Sequence, residues 1–181
     1  MKNLIIIRHA KSSWDEPVSD KIRKLTERGR NDANLVSLES LKFINDKFVL
    51  FSSNANRAAE TAIIFATNFS IPVNEIIIVD DLYTFDENQL EKVIKTLNNN
   101  LENVILFGHN AAITNFVNKF GDIFIENVPT SGLVWIKFDC LEWKLLKKGK
   151  IQKVSLQDVI EVASRQEPKM TTIMKELISR V

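Results

Sequence analysis

The chain predicts an α/β fold, a three-layer α/β/α sandwich around a mostly parallel central sheet, and three observations lead there. Strand-like and helix-like stretches alternate along nearly the whole sequence. The strand-like ones are short, continuous apolar runs rich in β-branched residues, such as Leu4-Ile5-Ile6-Ile7, and these are typical of strands covered on both faces. No internal repeat, low-complexity tract or linker breaks the alternation, so one domain over residues 1–181 is expected.

Each element has its own signal. Residues 3–7 read as a buried strand, and 26 to about 42 as a helix opened by Thr26, with Glu27 suited to the positive end of its dipole. Residues 48–52 form a second strand; Ala58, Ala59, Ala62, Ile63, Ala66 and Phe69 then recur at helical spacing over 56–69. The β-branched stretch 75–79 is a third strand. Asp86-Glu87-Asn88-Gln89 resembles a capping box for a helix reaching about Leu97, which Asn98-Asn99-Asn100 ends. A strand at 103–107, a helix from about Asn110 to Phe120 stopped by Gly121, and a strand at 133–138 follow. Residues 142–147 and 150–155 predict a hairpin about Lys148-Gly149 at a sheet edge, and the tail 156–181 predicts helix broken at Pro168.

Composition narrows the function classes. At 181 residues the chain can bury roughly 70% of the surface it exposes unfolded, enough for one well-packed core. With 45% apolar and 26% charged residues and a net charge of +1, nothing favours nucleic acid or a membrane as partner, and basic residues are interleaved with acidic ones instead of forming a stripe. A single cysteine, Cys140, allows no internal disulfide, and Leu4–Ile7 is too short for a signal-peptide core, so the cytoplasm is the expected compartment. Two histidines and one cysteine without an H-E-x-x-H spacing predict no dedicated metal site.

The chemistry lies in those two histidines. An isolated histidine is more often a hydrogen-bonded structural residue than a reactive one, but here both close apolar strands: Ile7-Arg8-His9 and Phe107-Gly108-His109. Ligands of open α/β sheets gather at the carboxyl ends of strands. Arg8 and Arg57 flank strand ends of the same kind, so Arg8, His9, Arg57 and His109 are expected to surround one small anion. Guanidinium forks match phosphate oxygens, and helices starting near Asn56 and Asn110 add positive dipole ends.

Five segments resemble the histidine phosphatase (phosphoglycerate mutase-like) superfamily, and more specifically its SixA-type phosphohistidine phosphatase branch. They are Ile7-Arg8-His9-Ala10-Lys11-Ser12-Ser13-Trp14, the stretch from Asp20 to Gly29, Ser52-Ser53 through Arg57 to Ala62, Gly108-His109-Asn110, and Pro129-Thr130-Ser131-Gly132. Ala10 stands where the family usually has glycine. The resemblance implies a phosphoglycerate mutase-like fold and a cofactor-free, metal-independent hydrolase acting on a phosphorylated protein or a small phosphorylated molecule. His9 would be the nucleophile, forming a phosphohistidine that water cleaves. Arg8, Arg57 and His109 would bind the transferred group, His109 best as a charged donor, with Arg23 as a further clamp. The resemblance leaves Asp80, Asp81, Asp86, Glu87 and Asp20 as candidate proton donors, with Asp20 and Asp81 favoured, and Ser52 and Thr130 would orient the clamps.

Few residues separate Val79 from Val104 beyond one helix and two turns, so an open rim is expected, and phosphohistidine on a protein is the implied substrate. Three alternatives stand beside it: a broad small-molecule phosphomonoesterase, a phosphomutase, which would need a closed pocket, and a phosphate- or phosphoprotein-binding module without turnover.

Overall fold

In the computed structural model, residues 1–15 and 17–155 are described. Six strands form one sheet in the order β3-β2-β4-β1-β5-β6. These are β1 Lys2–Arg8, β2 Val49–Ser53, β3 Ile77–Val79, β4 Asn103–Gly108, β5 Leu133–Phe138 and β6 Lys150–Ser155. β1, β2, β3 and β4 pair in parallel, whereas β5 runs antiparallel to both β1 and β6. The mostly parallel sheet follows from the chemistry of β1: Leu4, Ile5, Ile6 and Ile7 are all fully buried, which requires cover on both faces.

Alternation along that strand divides the core. Leu4 and Ile6 join a cluster with Leu90, Ile94, Ile113, Phe116 and Val117, while Ile5 and Ile7 join one with Ala33, Val36, Ala62, Phe65 and Ala66. Helices α3 Glu87–Lys95 and α4 Ala112–Phe120 therefore cover one face, and α1 Glu27–Ser40 and α2 Asn56–Asn68 the other. The expected three layers are present. Among the described residues no helix is long and apolar enough to cross a membrane.

Local signals explain the helix starts. Thr26 caps α1 by accepting from the Gly29 amide, and Asp86 caps α3 by accepting from the amides of Asn88 and Gln89. At Gly29 a Cβ would lie 2.1 Å from the Lys11 carbonyl oxygen, so only glycine lets α1 approach the loop that follows β1.

One expectation fails. Residues 142–147 are not the first arm of a hairpin: Trp143–Leu145 form a 3-10 turn, and β6 pairs with β5. Trp143 is the reason, since its ring is fully buried, its indole N–H donates to the Leu101 carbonyl at 2.9 Å, and its amide donates to the Asn99 side chain at 2.9 Å. The edge position expected of 150–155 is observed. Strand 75–79 shortens to Ile77–Val79 after a 3-10 turn at Val73–Glu75. The expected helix broken at Pro168 lies outside the described residues.

Candidate active site

Register brings the two histidines together. β1 and β4 are neighbouring parallel strands with Arg8 opposite Gly108, so the next residue of each strand is a histidine at the same height. The His9 amide donates to the Gly108 carbonyl at 3.0 Å, and the imidazole centroids lie 5.1 Å apart, close to the spacing of adjacent strands. β2 flanks β4 on its other side, and Ser53, ending that strand, places its Oγ 2.8 Å from His109 Nε2.

The tautomer of neutral His9 follows from its partners. Nδ1 lies 2.7 Å from the Ala10 carbonyl oxygen, which only accepts, so Nδ1 carries the proton and Nε2 holds the lone pair. Into that lone pair Arg57 donates its Nε–H at 3.2 Å. Burial, opposed by the Ala10 hydrogen bond and aided by the charges of Arg57, Arg8 and Arg23, pushes the His9 pKa down to about 4. Burial, with His9 and Arg57 nearby, pushes His109 down to about 3. Both rings are neutral at pH 7 in the free site, so the charged His109 expected from sequence is not its resting state.

Backbone from several loops holds this pair. The Ala10 amide donates to Thr61 Oγ1 at 3.0 Å, and the Ser131 amide donates to the Arg8 carbonyl at 3.1 Å. Ala10 has no positive φ, so alanine in place of glycine costs no backbone strain there.

Three arginines converge on the same rim. Arg57, 1% exposed, opens α2 and points its terminal nitrogens at Asp20, with Nη2 2.8 Å from Oδ2 and Nη1 on the Asp20 carbonyl. Arg8 donates Nη1 to the Val128 carbonyl at 2.9 Å. Arg23 spends Nε and Nη2 on Asp20 Oδ1, at 3.0 and 2.9 Å, and stacks beneath Trp14 at 3.4 Å. Arg23 thus braces Asp20 in this structure. Arg8 Nε and His109 Nδ1 are buried without a hydrogen-bond partner. Two polar atoms left open in a cationic cluster suit an anionic ligand.

The remaining sequence candidates fare unequally. Burial raises the Asp20 carboxyl, but hydrogen bonds from Tyr83 and Arg57 and the charges of Arg57 and Arg23 outweigh it and hold the group at about 2. Asp81 is exposed on the 3-10 turn Asp80–Leu82 and makes no hydrogen bond to the cluster. The Ser52 hydroxyl bonds the Ser53 carbonyl, 3.0 Å away, and reaches none of the clamps. Strand alternation gives that task to Ser53. Thr130 is half-buried in the loop before β5, and the neighbouring Ser131 makes the backbone contacts.

Sequence reasoning missed Tyr83. Its hydroxyl donates to Asp20 Oδ2 at 2.6 Å, and its ring meets His109 edge-on at 5.3 Å. The available signal was a lone tyrosine just after the third parallel strand. Phe85 also packs against His109, at 5.5 Å. Among the described residues no group of three His, Cys, Asp or Glu side chains could hold a metal ion.

Residues 4–83 match the family model of the histidine phosphatase superfamily, branch 1. A search of curated proteins finds no match. Among solved structures, the chain is similar to the protein histidine phosphatase SixA complexed with tungstate, at 18% identity and a TM-score of 0.73, over 87% of this chain and 99% of that one. A SixA-type protein from Agrobacterium tumefaciens is similar at 21% identity and a TM-score of 0.71, over 85% of this chain and 97% of that one. A mycobacterial glucosyl-3-phosphoglycerate phosphatase in complex with VO3 follows at 12% identity and a TM-score of 0.64, over 86% of this chain and 100% of that one.

Proposed function

From the match of residues 4–83 to the histidine phosphatase superfamily model and the geometry of the site, we propose that the chain is a member of that superfamily and hydrolyses a phosphoryl group through a covalent intermediate on His9 Nε2. The observation that carries this reading is the His9 ring itself: Nδ1–H is anchored on the Ala10 carbonyl, Nε2 stays unprotonated, and among the described residues only the Arg57 guanidinium meets its lone pair. A free base beside a phosphate-matching cation is a nucleophile in waiting.

In the first step Nε2 attacks phosphorus in line, the bond to the leaving group breaks, and the departing atom takes its proton from solvent water at the open rim. The equatorial oxygens gain negative charge, and the open Arg8 Nε–H, His109 Nδ1 once the bound phosphate has made that ring a cation, and Arg57 offset it. Arg57 gives up Nε2 as the ring engages phosphorus, and its N–H, still aimed at that point by the Asp20 contacts, passes to a phosphoryl oxygen. Water then attacks the phosphohistidine, the N–P bond breaks, and inorganic phosphate leaves. Tungstate and VO3 in the similar structures are oxyanions of the kind this cluster would hold.

The substrate reading is a phosphorylated side chain on a protein, with phosphohistidine foremost. Its support is the rim: between β3 and β4 lie only a 3-10 turn and α3, and Trp14, Ile22 and Phe85, which border Arg23 and His109, are 75%, 49% and 51% exposed. An exposed apolar rim accommodates a protein surface better than a small sugar. A small aryl phosphate would meet the same aromatic groups and is the second reading.

The test is phosphate transfer to the protein. Turnover of labelled substrate, quenched rapidly, is expected to leave acid-labile, base-stable label that His9→Ala abolishes together with activity. Binding of phosphate without label or turnover would instead reveal a binding module. Phosphohistidine protein, a sugar phosphate and an aryl phosphate, compared side by side, decide the substrate; turnover of the aryl compound alone would remove the protein-substrate reading.

A further inference from the structure

Tyr83 sits where three parts of the site meet, yet it has no role in the reaction scheme above. Its hydroxyl donates to Asp20 Oδ2 at 2.6 Å, its ring edge rests on His109, and Arg57 lies 5.9 Å from the ring centroid. Lys21 approaches the ring at 5.8 Å from the outside. Asp20 in turn is gripped from three sides: by Tyr83 and Arg57 on Oδ2 and by Arg23 on Oδ1.

Arg57 is therefore held at both ends. Its terminal nitrogens rest on the carbonyl and carboxylate of Asp20, and its Nε–H rests on His9 Nε2. A planar guanidinium clamped at its far end keeps its near edge in one orientation, and the near edge is the one facing the proposed nucleophile. Arg23 holds Oδ1, but the Asp20 side chain is 36% exposed, so water competes for the Oδ2 on which Arg57 rests. The Tyr83 hydroxyl, donating to that same oxygen, fixes it.

We propose that Tyr83 is a positioning residue: by fixing the Asp20 carboxylate it holds the Arg57 guanidinium against His9 Nε2. This rests on the reading of His9 as nucleophile. Asp20 then serves as a brace and supplies no proton, since a carboxylate shared by two guanidiniums and a phenol stays ionised. Tyr83 likewise keeps its proton engaged on Asp20.

Tyr83→Phe is the informative variant, because it removes the hydroxyl, keeps the ring on His109 and alters no charge. Nitrogen-15 NMR of the histidines in the free protein should show His9 titrating at higher pH than in the wild type, as the Arg57 donor that favours the neutral ring loosens. The kcat/KM is expected to fall about three- to tenfold, the size of one lost hydrogen bond, by the same factor for aryl and alkyl phosphates. In an Asp20→Asn background the same substitution should cost little more, since the path from Tyr83 to Arg57 is already cut.

An unmoved His9 titration, or a full additional loss in the Asp20→Asn background, would overturn the proposal. A loss confined to alkyl phosphates would do so as well, by marking Tyr83 as a proton donor. If the wild type shows neither turnover nor label on His9, the functional reading fails, while the NMR arm still decides whether Tyr83 positions Arg57.

Discussion

At the scale of single residues, the site is a set of neutral imidazoles kept neutral by burial and by three arginines. With His109 Nε2 held by Ser53, Nδ1 is the ring nitrogen left for a ligand. An arriving phosphate dianion reverses the local field, and His109 should then take up a proton and become the charged donor that the sequence suggested. Calorimetry of inorganic phosphate binding at neutral pH, repeated in buffers of different ionisation enthalpy, is expected to show net uptake of up to about one proton. His109→Gln should abolish it. Arg8, His9 and His109 were legible because they stand at the ends of apolar strands, a local pattern, and Arg57 because it opens the helix just after one. Tyr83 and Ser53 were not, since their importance lies in partners 63 and 56 positions away in sequence.

Elements decide where those residues point. The loop after β1 is held by α1, whose first turn approaches so closely that the Thr26 amide donates to the Lys11 carbonyl at 2.9 Å and Gly29 has no room for a side chain. Gly29→Ala should push that loop outward and destabilise the protein by about 1–3 kcal/mol, the usual range for overpacking, measurable as a lower urea midpoint. A larger fall in kcat/KM than in stability would show that the strain reaches His9. Most elements were readable from periodicity and capping, as at Thr26 and Asp86. The hairpin expected over 142–155 was not, because alternating large residues look the same whether they pair as a strand or, as at Trp143, sink into the core through a turn.

For the whole molecule, the buried histidines couple folding to pH. Their ordinary value is 6.5, and the folded values are about 4 for His9 and about 3 for His109. Below pH 6.5 the unfolded chain binds protons that the native state refuses, so stability falls as pH drops, first by this route. Asp20 adds to the loss below its ordinary 3.8, because its folded value of about 2 means the native state again binds fewer protons. Near pH 5 the slope from two histidines is on the order of 2–3 kcal/mol per pH unit. Thermal unfolding across pH 4–7 should show this decline, and His9→Gln with His109→Gln should flatten it. A wild-type profile no steeper than that of the double variant would mean the rings are protonated in the native state.

The two imidazoles differ in how open they are to change. His109 takes its bearing from a hydroxyl, which a substitution of Ser53 by any residue other than threonine removes at a stroke. His9 takes its bearing from the main-chain oxygen of the very next residue, which every amino acid supplies. Exchanging side chains cannot erase that anchor; only bending the backbone can. Drift in the surrounding sequence should therefore retune how tightly the ligand is gripped long before it turns the attacking ring.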